Sequence, residues 1–196
     1  SKVKLAWSKL PFDKFIVKYM PELEAYTKLR DYFMKHTEYS HFCLCSDDLE
    51  ITKEGLIGMW DQVKLNDFPV LSGYCNIDET QPTVYAMQNN IAETEHPQAS
   101  KGSWIEEKDL PKDQRFIQVK HSGFQCQIIR RDILKQVSWI GSSNDHRGYF
   151  DWQFSKDCHK LDIPIIIDLN AKFYHRRMEA KDRIITENGY TLFIPY

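Results

Sequence analysis

No apolar run in this chain approaches the roughly 20 residues that a bilayer-spanning helix needs, and the N-terminus has no signal-peptide-like apolar stretch. The expectation is a cytoplasmic chain without a transmembrane segment. An excess of charge is missing too, with 26 basic residues against 28 acidic ones and a formal charge of -2. That balance gives no electrostatic reason to expect a nucleic-acid backbone or an acidic membrane surface as the main partner. Cysteines in Cys-x-x-Cys spacing are absent; the 5 present, at positions 43, 45, 75, 126 and 158, are odd in number and mostly sit in apolar segments. Cys43 and Cys45 would share one face of a strand, too close along the chain for an easy disulfide. All read as reduced core thiols of a reducing compartment. Repeats and low-complexity tracts are also lacking.

What is there describes a globular chain of 196 residues, 42% hydrophobic and 28% charged, read as a single domain over residues 1–196. Val3 to Trp7 suggests a strand, and Pro21 can open a helix in which Ala25, Leu29, Tyr32, Phe33 and His36 recur at helical spacing. His41 to Cys45 reads as a buried strand, Leu56, Met59, Trp60 and Val63 as a helical stripe, and Pro69 to Cys75 as a strand again. This βαβαβ opening argues for an α/β sheet with ligands outside the carboxyl ends of its strands. Residues 88–115 lose periodicity around Trp104 and read as a long loop, either a surface excursion or an acceptor loop with Trp104 as a sugar-stacking platform. Residues 178–196 form a tail.

Carboxylates crowd the end of the His41 to Cys45 strand, where Asp47, Asp48 and Glu50 follow within a few residues. Acids this close repel one another, and a hard divalent cation that also holds substrate phosphates makes such a cluster useful. The plainer alternative is a solvated turn before a helix, with Thr52 as N-cap and Glu54 favouring the helix N-terminus.

A third zone begins after Phe116 to Lys120 and Phe124 to Ile129, two alternating segments that lead into Arg130-Arg131-Asp132 and a short helix. Arg130 and Arg131 read as helix-surface charges. Tyr149 to Trp152 opens a helix with Phe150, Phe154, Cys158 and Leu161 on one face, and Pro164 to Ile167 is a very apolar strand that leads to Asp168. Lys172 to Arg177 then carries His175 near the end of a further strand. Asp151 could be a charge on a helix dipole or a general base, with Asp145 as its rival, and His175 a satisfied histidine or a ligand. Trp139 and Trp152 could stack on a sugar or fill the core.

Taken in order, Arg30, the run into Ser46-Asp-Asp-Leu-Glu50, Pro69-Val-Leu-Ser-Gly73, Ser122-Gly-Phe-Gln-Cys126-Gln-Ile-Ile-Arg-Arg131, and Tyr149 to His175 resemble the GT-A-fold glycosyltransferases, the family-two-like members best. The resemblance spans about residues 25 to 177. It implies a GT-A-like, Rossmann-type single domain with a central, mostly parallel mixed sheet flanked by helices. The Asp-x-Asp motif falls either on Ser46-Asp47-Asp48 or on Asp48-Leu49-Glu50, and Ala6 to Pro11 stands where relatives have a base-binding Pro-Thr-Tyr-Asn-like loop.

The activity so implied is transfer of a sugar from a UDP- or GDP-sugar to a glycan, glycoprotein or lipid-linked acceptor. Mn2+ or Mg2+, held by Asp48, Glu50 and His175, would neutralise the departing diphosphate. Arg30, Asp47, Asp48 and Trp152 would bind the nucleotide sugar, with Arg176 or Arg177 near its phosphates. Asp151 would be the base of an inverting displacement. Two alternatives are a sugar-phosphate nucleotidyltransferase, whose usual Gly- and basic-rich phosphate loop is absent here, and a non-catalytic binding domain of the same fold.

Overall fold

Consecutive residues of a central strand point to opposite faces of a sheet and are all buried only if both faces are covered. The computed structural model describes residues 12–13, 15, 22–45, 49–77, 82–88, 104–138, 150–175, 183–185 and 191–193. Its centre is a sheet of β1 (His41–Cys45), β8 (Cys126–Arg130), β3 (Val70–Tyr74), β9 (Ile165–Lys172) and β6 (Phe116–Val119), in that spatial order. Neighbouring residues go to opposite faces. Val70, Ile129, Ile165 and Ile167 join one buried cluster with Phe33, Leu134, Phe150 and Phe154, whereas Leu71 and Ile128 join another with Leu56, Met59, Val63 and Phe173.

The first face is covered by α1 (Glu22–Lys35), α3 (Arg131–Gln136) and α4 (Phe150–Lys160), the second by α2 (Lys53–Asn66). The α/β class and its flanking helices follow the expectation. The mostly parallel sheet does not: only β3 and β9 pair in parallel, while β1–β8, β3–β8 and β6–β9 are antiparallel. The cause is an insertion. A βαβ reading joins β1 to β3 through α2, but β8 slots between those strands and runs against both, so β1, β3 and β9 share one direction with little direct pairing.

Local signals account for most of the helices. Thr52 Oγ1 caps α2 by accepting the Gly55 N–H at 3.1 Å, and Glu54 lies in the first turn, as the plainer reading of that segment required. Phe150, Phe154 and Cys158 form the buried stripe of α4, but Leu161 falls in the turn beyond it and is 46% exposed. The expected strand at Val3 to Trp7 lies outside the described residues. No described helix is long and apolar enough to cross a membrane.

Arg130 and Arg131 differ sharply. Arg130 forms surface ion pairs with Asp132 and Asp67. Arg131 turns inward: it donates to the carbonyls of Tyr39 at 2.7 Å and Phe33 at 2.9 Å, reaches Met34 and His36, and lies 4.1 Å over the Phe33 ring. Those oxygens belong to the last turn of α1 and the turn that follows it, where helix carbonyls lack internal partners. Buried Asp168 on β9 receives a two-pronged bond from Arg115, at 3.0 and 2.8 Å, which ties the strand to the segment entering β6.

A smaller sheet of β5 (Trp104–Glu106), β4 (Thr83–Met87) and β7 (His121–Ser122) lies beside the central one, so the segment expected as a loop through Arg115 contains a strand and a short 3-10 turn, Glu107–Asp109. The two sheets are joined by the hydrogen bond between Ser72 Oγ and Ser122 Oγ, 2.9 Å. A two-stranded ribbon pairs β2 (Leu49–Glu50) with β10 (Tyr174–His175), which comes just after β9, and β11 (Arg183–Ile185) pairs with β12 (Thr191–Phe193) within the tail.

Candidate functional site

Strands β1, β3 and β9 end at the same edge of the sheet, and α4, which leads back into the start of β9, opens there. Asp151 therefore stands at the carboxyl edge, where an open α/β sheet gathers ligands. Its Oδ1 accepts the Trp152 backbone N–H at 2.7 Å and its Oδ2 accepts the Tyr85 hydroxyl at 3.1 Å. Two donors fix the carboxylate plane.

Tyr85 in turn stacks on half-buried Trp104, with ring centroids 5.2 Å apart and planes inclined by 16°. His121 meets Tyr85, Trp104 and Trp152 edge-on, so an aromatic floor extends from the carboxylate. Gly123 permits this arrangement, because a Cβ there would stand 2.1 Å from the Tyr85 ring. His121 is 1% exposed, and burial pushes its pKa down, with the Asp151 charge opposing the shift. Ser155 Oγ donates to the Asp151 carbonyl at 2.7 Å, so its 2.9 Å bond with His121 Nδ1 has the ring N–H as donor. That leaves the lone pair on His121 Nε2. Among the described residues neither this nitrogen nor the buried Trp152 Nε1–H has a hydrogen-bond partner. A buried acceptor and a buried donor of this kind suit a buried water.

The other predicted residues are distributed unevenly. In the β2–β10 ribbon, His175 lies opposite Leu49 and Glu50 opposite Tyr174. Directly paired residues share a face and adjacent ones alternate, so Glu50 and His175 project to opposite sides. The His175 Nδ1–H donates to the Ile77 carbonyl at 2.7 Å, which puts the ring lone pair on Nε2, the arrangement common in metal-binding histidines. Phe173, buried against Gly73, anchors the ribbon: a Cβ on Gly73 would come within 2.2 Å of its ring.

Arg30 reaches no part of this edge. Its guanidinium donates to the Leu134 and Val137 carbonyls, at 2.8 and 3.3 Å, at the end of α3. Trp152 is 2% exposed and packs against Met87, so its ring forms part of the floor and Trp104 takes the more open position. Asp47 and Asp48 lie outside the described residues, as do Trp139, Asp145, Arg176 and Arg177. Sequence reading overlooked Tyr85, His121 and Ser155. The β-branched and aromatic run after Pro82, Thr-Val-Tyr-Ala-Met, was the available signal for the strand that carries Tyr85.

On the second face of the sheet, Cys45 and Cys126 pair directly across β1 and β8, with Cys43 two residues along. Cys126 is buried, Cys45 half-buried and Cys43 exposed, so the core-thiol reading holds for Cys75, Cys126 and Cys158 but not for Cys43. Their sulfurs form the one group of three or more metal-ligating side chains within mutual reach among the described residues, all within 4.8 Å.

No protein-family model and no curated protein matches this chain. The solved structure of A197 from STIV is similar over 98% of this chain and 85% of its own, with a TM-score of 0.57 and 13% sequence identity. The likeness is one of fold. It bears on the layered architecture and leaves chemistry to the residues at the sheet edge.

Proposed function

We propose that this protein is a metal-dependent glycosyltransferase of GT-A-like arrangement, moving a sugar from a UDP- or GDP-sugar to an acceptor hydroxyl on a glycan, glycoprotein or lipid-linked molecule. The observation that carries the reading is Asp151, oriented by Tyr85 and the Trp152 backbone at the carboxyl edge of the sheet, beside the aromatic ring of Trp104. In this scheme the acceptor hydroxyl gives its proton to Asp151 as its oxygen bonds to the anomeric carbon and the bond from that carbon to the diphosphate breaks. A single displacement of this kind inverts the centre. Trp104 supplies an apolar ring against which a sugar can lie.

Carboxylate oxygen suits Mn2+ or Mg2+, and an imidazole beside it favours Mn2+ of the two. Asp48 and His175 would hold that ion, whose positive charge would offset the charge gained by the diphosphate. The tethered His175 ring fits such a role. Glu50, on the other side of the ribbon, does not fit the same ion.

Calorimetry with a panel of sugar nucleotides, with and without Mn2+, followed by assay of nucleoside diphosphate release, tests the proposal. One nucleotide class should bind in a metal-dependent way, and Asp151→Asn should keep donor binding while turnover falls by about 10²–10⁴-fold. If no sugar nucleotide binds with Mn2+ present, or Asp151→Asn turns over normally, the reading fails. Pyrophosphate release from a nucleoside triphosphate would mark a nucleotidyltransferase instead.

A further inference from the structure

We propose a second, independent site on the α2 face of the sheet: Cys43, Cys45 and Cys126 form a three-thiolate centre for a thiophilic metal ion of the Zn2+ class. The Cys43–Cys45 and Cys45–Cys126 sulfur separations are both 3.6 Å, and the third lies within 4.8 Å. Three sulfurs bound to one ion at about 2.3 Å stand about 3.8 Å apart in a tetrahedron. The cage is thus close to its ligated dimensions before any metal arrives. Strand geometry holds it there: Cys43 and Cys45 share a face by the period of two, and the β1–β8 register sets Cys126 opposite Cys45.

Thiolate donors select soft or borderline ions over Mg2+ or Mn2+, so this centre is chemically distinct from the carboxylate–imidazole site proposed above. Exposure of Cys43 gives an ion a route from solvent and leaves the fourth coordination position to water or an added ligand. Binding of one divalent ion forms three metal–sulfur bonds while releasing up to three protons to the buffer.

The test is titration of the full chain, kept reduced, with Zn2+ alone and then Cd2+ alone, in two buffers of different ionisation heat, with Mg2+ in excess. One equivalent should bind with a buffer-dependent heat from proton release, and Cd2+ should give a thiolate-to-metal ultraviolet band. Cys43→Ser, at an exposed position, should weaken Zn2+ binding at least tenfold and diminish that band, while Cys158→Ser should leave both unchanged. Circular dichroism and the urea midpoint of Cys43→Ser, measured alongside, establish that the variant is folded. Absence of saturable one-to-one binding, or an affinity unaltered in folded Cys43→Ser, would overturn the proposal. So would a reduced protein that ignores Zn2+ and, on air oxidation, loses two mass units by linking Cys45 to Cys126.

Discussion

Replacing Arg131 by Ala should cost about 3 kcal/mol of stability, far more than the same change at its neighbour Arg130. Arg131 binds four carbonyls in the last turn of α1 and the turn that follows it, and covers the Phe33 ring at 4.1 Å. A hydrogen bond from a charged donor contributes about 1.5–3 kcal/mol, and a cation over a ring about 0.5–1 kcal/mol at a partly exposed site. These values do not add, because the guanidinium is only partly buried and water can reach some of the released carbonyls. Two effective charged bonds at the low end of that range, with little net change from the ring contact, give the figure of about 3 kcal/mol. With a urea slope of about 2 kcal/mol/M, the midpoint should fall by about 1.5 M at unchanged slope. Arg130→Ala removes only surface pairs with Asp132 and Asp67 and should cost less than about 1 kcal/mol. Arg131→Lys keeps the charge but loses the planar fork, so its midpoint should lie between those of Arg131→Ala and the parent. Equal midpoints for Arg130→Ala and Arg131→Ala, or a fully stable Arg131→Lys, would refute the carbonyl-clasp account.

Two further expectations concern the sheet edge. Gly123→Ala would drive a methyl group into the Tyr85 ring, now 2.1 Å from the Cβ position, so urea unfolding should reveal a loss of about 1–3 kcal/mol. If Asp151 is the base, the displaced Tyr85 hydroxyl should also lower turnover with donor affinity intact; unchanged stability and turnover would mean that the ring is not held as described. Stability should also fall on acidification below about pH 6.5. Burial lowers the pKa of both His121 and His41 from the ordinary 6.5, so in that window the unfolded chain takes up protons that the native protein refuses. Urea midpoints from pH 7.5 to 5.5 test this, and the fall should be shallower in His121→Phe; a flat profile in the parent would count against it.

The sequence by itself determined the local elements whose code is short-range. The Leu56, Met59 and Val63 stripe, the Thr52 cap and the strand at His41–Cys45 each depend on spacing within a few residues, and each is present in the fold. Asp151 at a helix start was legible for the same reason. Only the tertiary structure decided which strands are neighbours. Nothing within residues 41–75 encodes that β8 will lie between β1 and β3, since that contact is made by a segment some fifty residues further along. The same long-range pairing gave Tyr85 to Asp151, turned Arg131 inward while Arg130 faced solvent, put Glu50 and His175 on opposite sides of a ribbon, and brought Cys126 to Cys43 and Cys45. Periodicity tells a residue which face of its own strand or helix it occupies. What stands across from that face is set by packing between distant segments, and the chemistry of this sheet edge depends on it.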